Sequence, residues 1–119
     1  MQGVFYRDVL QITTNQKWSS HGDARIVIDQ YRGEDSLILN TDDSDTVRIR
    51  SFSWIIDNDN DEYLGRGFVT DTCCKVILKI EKFNTVEGIV SGTFEGSLIE
   101  NDYRQDTIFI KKGRFDATM

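Results

Sequence analysis

Among its 119 residues the sequence has no proline, one histidine and two cysteines. Each scarcity closes off a chemistry. A single histidine and two adjacent cysteines lack the ligand spacing of zinc motifs. His21 lies in Ser19-Ser20-His21-Gly22-Asp23, but a nucleophile turn of the G-x-S-x-G kind is missing, so a loop histidine is the plain reading. There is no P-loop, and Gly65-x-Gly67 lacks the third glycine and following helix of a dinucleotide site. Glycoside hydrolysis needs two opposed carboxylates. The 20 acidic residues offer many such pairs and single out none. The sequence therefore reads as non-catalytic.

Positive charge is also short. Fourteen Lys and Arg face 20 Asp and Glu, a net charge of −6. The longest basic cluster is Lys111-Lys112, with Arg114 nearby. A nucleic-acid partner demands a basic footprint that displaces counterions, and this balance argues against one. Anionic membrane surfaces are disfavoured for the same reason. No apolar run approaches the ~20 residues of a membrane span. No export signal or lipid-attachment segment is legible, which fits a cytoplasmic protein or one whose signal has been left off.

What is present is alternation. Even positions of residues 4–13 carry Val4, Tyr6, Leu10 and Ile12, interrupted by Asp8. Ala24, Ile26 and Ile28 share a face opposite Arg25 and Asp29. In residues 74–83, Val76, Leu78 and Ile80 oppose Lys75, Lys79 and Glu81. Residues 36–40, 46–56, 63–70, 89–99 and 107–118 complete the apolar segments. Period two marks half-buried strands. Gly, Asn and Asp clusters at 32–35, 40–43, 57–62, 84–88 and 101–102 mark turns. No stretch of ten residues has a helical period. The sequence predicts one all-β domain over residues 1–119, an antiparallel β-sandwich or small barrel of about seven to eight strands. Val76, Leu78, Ile80, Phe94, Ile108 and Ile110 are expected in its core.

Glycine flanks aromatics in Gly92-Thr93-Phe94-Glu95-Gly96, which predicts a ring covering bare backbone where the sheet curls. Cys73 and Cys74, read as strand neighbours, should diverge, one inward and one outward, without bridging. Their Cα separation of ~3.8 Å lies below the usual disulfide range.

From Tyr63 onward the chain resembles uncharacterised β-rich lipoproteins of Bacteroidota. Ser91-Gly92-Thr93-Phe94 and Gly113-Arg114-Phe115-Asp116 carry the likeness. The resemblance implies an all-β fold and an extracytoplasmic setting, in the periplasm or at the outer-membrane surface. It implies no activity and no catalytic residues.

Acid is unevenly placed. Residues 34–62 hold nine acids against two bases, a net −7, so the rest of the chain is near neutral. Asp57, Asp59 and Asp61 alternate as ligands of oxygen-rich Ca²⁺ loops do, but an EF-hand would need Gly where Glu62 stands and Glu where Phe68 stands. They are candidates for a weak Ca²⁺ site, against the plainer reading of a solvated hairpin tip. Asp42, Asp43 and Asp45 form a second acidic turn, at the far end of residues 46–56. No other cofactor is expected.

Three functions suit such an object. One is a binding or assembly domain whose partner is a protein or a glycan. Another is a barrel-type carrier of a small ligand. The last is a carbohydrate-binding module stacking sugars on Trp18, Trp54 or exposed tyrosines.

Overall fold

The computed structural model describes residues 2–13, 23–41, 49–56, 66–100 and 106–119. Nine strands run through them: β1 (Gln2–Tyr6), β2 (Val9–Thr13), β3 (Asp23–Ile28), β4 (Ser36–Leu39), β5 (Arg50–Ile56), β6 (Arg66–Val69), β7 (Val76–Asn84), β8 (Ile89–Glu100) and β9 (Thr107–Thr118). The fold is all-β, with no helix among the described residues. The segments read from alternation all reappear, and β9 keeps the bounds read from the sequence.

The ninth strand comes from residues 4–13, which are two strands and not one. Arg7 and Asp8 both have positive φ, 51° and 66°, so the chain reverses in a two-residue hairpin. Asp8 is held there from outside. Its carbonyl accepts from the Tyr31 amide at 2.8 Å, and its carboxylate pairs with Arg32. The reversal also corrects the predicted face. Phe5 stands opposite Leu10, so the odd positions of β1 join the even positions of β2. Val4 and Tyr6 are therefore exposed.

The strands form one sheet in the order β4-β7-β8-β6-β5-β3-β2-β1-β9, with β9 also paired to β8. Among the described residues every pairing is antiparallel except a single parallel bridge, Gln2 to Thr118, between β1 and β9. The ladder thus returns upon itself through β8, β6, β5, β3, β2, β1 and β9. β8 makes this possible because it has 12 residues. Its residues from Ile89 to Gly96 pair with β7, and Ile99 and Glu100 pair with β6.

The inward faces fill one core. Leu10, Ile12, Ile26, Ile28, Leu39 and Leu78 have no exposed surface, and Phe68 and Phe115 retain 1%. Val76 and Ile80 are buried as expected. Phe94, Ile108 and Ile110 are only half-buried, packed against the rim of the core where β8 and β9 bend.

Glycine and phenylalanine make that bend together. Gly92 stands opposite Phe115, and Phe94 opposite Gly113. A Cβ at Gly92 would meet the Phe115 ring at 2.9 Å, and one at Gly113 would meet the Phe94 ring. Each ring lies over its partner's bare backbone, as the alternation of Gly and Phe predicted, though the covered glycines are across the ladder. The two rings then stack at 6.4 Å, and Phe52 closes on Phe94 at 5.0 Å.

Candidate functional site

The outer face of β4, β7, β8 and β9 carries the candidate site. Along β7, burial of Val76, Leu78 and Ile80 forces Ile77 and Lys79 outward, because neighbouring strand residues point to opposite faces, and Lys75 just before the strand is exposed as well. Ile77 lies opposite Ile38 of β4 and Glu95 of β8. Lys79 lies opposite Thr93, which faces Arg114 of β9. Ser97 lies opposite Phe109, and its amide donates to the Lys75 carbonyl at 3.0 Å. Four strands thus bring Ile38, Ile77 and Phe109 onto one face.

A bulge completes the arrangement. The β8–β9 register slips between Phe94 and Gly96, so Lys111 and Lys112 together oppose Glu95. Lys112 adopts φ 59° and Gly96 φ 151°. A side chain at Gly96 would run into the backbone of Lys75 and Val76. Without the slip, consecutive lysines would point to opposite faces. With it, both are exposed, and Phe109 and Arg114 on either side are exposed too.

The face is hollowed shallowly and lies open to solvent. Two adjoining hollows of about 370 and 460 Å³ share Ile77 and Glu95. Lys79, Thr93, Lys112 and Arg114 line the first. Ile38, Lys75, Phe109, Ile110 and Lys111 line the second. Phe109 is 75% exposed, Ile38 54% and Ile77 42%. Five cations and one carboxylate line the two hollows. Arg114 pairs with Asp116 at 3.2 Å and Glu81 at 3.3 Å, and these neighbours raise its pKa further. Lys75, Lys79, Lys111 and Lys112 make no ion pair among the described residues.

A second polar cluster is structural. Tyr31 is buried, its hydroxyl donates to the Glu34 carbonyl at 3.1 Å, and its pKa is pushed up to about 12 by burial and the carboxylates of Glu34 and Asp35. Burial pushes Glu34 up too, but the Arg32 amide and the Arg50 guanidinium, 3.0 Å away, overcome it and hold the carboxyl below its ordinary range. These contacts tie the β3–β4 connection to β5.

No protein family, curated protein or solved structure matches the chain. The residues of the face therefore stand on their own chemistry.

Several sequence candidates lie elsewhere. Asp57, Asp59 and Asp61 fall outside the described residues, as do Asp42, Asp43, Asp45, His21 and Trp18. No group of three His, Cys, Asp or Glu suited to a metal ion occurs among the described residues. Trp54 is half-buried against the core, so it is no open stacking platform. Cys73 is exposed and Cys74 buried, both free, as the sequence predicts. They precede β7 and do not begin it. Asp71 and Cys74 exchange backbone hydrogen bonds at 3.0 and 3.1 Å, and in this tight turn the two Sγ atoms approach to 2.6 Å, where strand neighbours would diverge as expected from the sequence.

The basic face went unrecognised in the sequence. Its signals were present as Lys111-Lys112, Arg114 and the outward Lys75 and Lys79. What was missing was the pairing of β8 between β7 and β9, which gathers them.

Proposed function

We propose that this chain is a non-catalytic β-domain that acts by binding or assembly, in an extracytoplasmic setting such as the periplasm or the outer-membrane surface. The setting rests on the resemblance of residues 63–119 to Bacteroidota lipoproteins. The binding role rests on one observation above all: Ile38, Ile77 and Phe109 lie exposed together on one cation-lined face. Single exposed hydrophobics are ordinary, whereas an apolar patch with a polar rim marks a contact surface. The carrier reading is less well supported, because the inward faces hold large side chains buried against one another. The glycan reading is less well supported too, because the floor of the face is branched aliphatic, with Phe109 its one exposed ring.

Panning a random dodecapeptide library against the protein tests the reading. Peptides that bind the wild type and lose binding to a Phe109→Asp variant are expected. Selection of peptides indifferent to that change, or of none, refutes the face as the contact surface.

A further inference from the structure

We infer that the partner of this face is an acidic, extended polypeptide segment with apolar side chains between its carboxylates. The inference rests on the binding reading above and names its occupant.

Charge is the first ground. The chain as a whole carries −6, yet the hollows are lined by Lys75, Lys79, Lys111, Lys112 and Arg114 against Glu95 alone. Four of those cations have no acidic partner among the described residues, in a protein with carboxylates in excess. Complementary charge steers encounter and rejects wrong partners.

The bulge is the second ground. It sets Lys112 in the left-handed region, which L-residues with side chains other than Asn or Asp seldom occupy. Its consequence is that two adjacent lysines leave the sheet on one side, beside Phe109. Bulges commonly re-aim side chains at functional surfaces.

Shape and size choose among anionic partners. Three strand spacings of about 4.8 Å make the face ~14 Å wide, and the four steps of β8 from Thr93 to Ser97, which the bulged stretch from Phe109 to Arg114 spans, make it ~13 Å long at about 3.3 Å per residue. That accommodates an extended segment of about five residues, whose alternate side chains turn toward the sheet. Single-stranded nucleic acid needs aromatic platforms for successive bases, and Ile38 and Ile77 provide none. Carboxylates for the lysines and aliphatic groups for the isoleucine floor occur together in an acidic peptide. So small a contact predicts a weak, salt-sensitive complex.

The peptides selected above decide the matter, together with a synthetic fluorescein-labelled probe of repeating Glu-Glu-Leu-Leu. In an extended probe, glutamate and leucine alternate on each face. Selected peptides should be rich in Asp and Glu with interspersed Leu, Val or Phe. The probe should bind in fluorescence anisotropy and weaken as salt rises. A Lys111→Glu/Lys112→Glu variant should lose about tenfold in affinity or more, a change of ~1.4 kcal/mol. Both positions are exposed, and an unchanged thermal midpoint would verify the fold. Selected peptides that require Phe109 but carry no net negative charge, and bind the double variant equally well, would overturn the acidic partner and leave the binding reading standing. Equal binding of a Lys-Lys-Leu-Leu probe would overturn it as well. So would tighter binding of phosphatidylglycerol vesicles, polyuridylate or polygalacturonate than of the acidic probe at physiological salt.

Discussion

At Lys112 the backbone takes φ 59° within a strand, which a residue without a Cβ would do at little cost. Lys112→Gly should therefore keep or raise the thermal midpoint. Lys112→Val, with a branched Cβ at the same φ, should lower stability by about 1–2 kcal/mol in urea denaturation. If both variants were equally destabilised, side-chain contacts and not backbone geometry would govern this position. The adjacent cysteines separate by environment in the same way. Burial and the neighbouring Cys73 thiol push Cys74 up to about 11, so its thiol stays protonated at pH 8. Iodoacetamide at that pH should label Cys73 and spare Cys74, read by peptide mass spectrometry. Cys74→Ala should cost on the order of 1–2 kcal/mol, as truncation of a small buried side chain does.

Between elements, the Phe94–Gly113 pair joins β8 to β9 by fit. Gly113→Ala pushes a methyl into the Phe94 ring and should destabilise by about 1–3 kcal/mol. Adding Phe94→Ala should recover part of that loss, and a double-mutant cycle would read the coupling. Additive losses would mean the ring does not cover the glycine. The β3–β4 connection is held by charge. Because the folded Glu34 carboxyl is below its ordinary pKa, its contribution is complete above the unfolded value of about 4.3 and is lost as pH falls through the folded value. Glu34→Gln should cost ~1 kcal/mol at pH 7, kept modest because the group is a third exposed. Urea denaturation as a function of pH should show wild type and variant converging as pH falls below the unfolded carboxyl value and through the lower folded one. A gap that persists at pH 2 would assign the effect to packing.

For the whole molecule, charge is divided: net negative overall, with a basic face on one side. Despite that face, duplex DNA and polyuridylate should show no specific complex near physiological salt, because five cations with one exposed ring give too small a footprint. A micromolar complex in fluorescence anisotropy would contradict this. The all-β class, the strand segments and the inward set Val76, Leu78 and Ile80 were legible from residues alone, since period two is a local property of the chain. So were the exposure of Cys73 and the burial of Cys74, but not the approach of their Sγ atoms in a turn. The hairpin at Arg7-Asp8 was not, because a lone Asp after Arg lacks the Asn-Gly or Asp-Gly pair that marks such turns, and contacts from Tyr31 and Arg32 hold it. Nor were the half-burial of Phe94, Ile108 and Ile110, the closing bridge from Gln2 to Thr118, or the gathering of the lysines. These depend on which strand lies beside which, on the bulge, and on residues distant in the chain. Alternation says that a side chain leaves a strand on a given side, while only the assembled sheet determines what stands next to it.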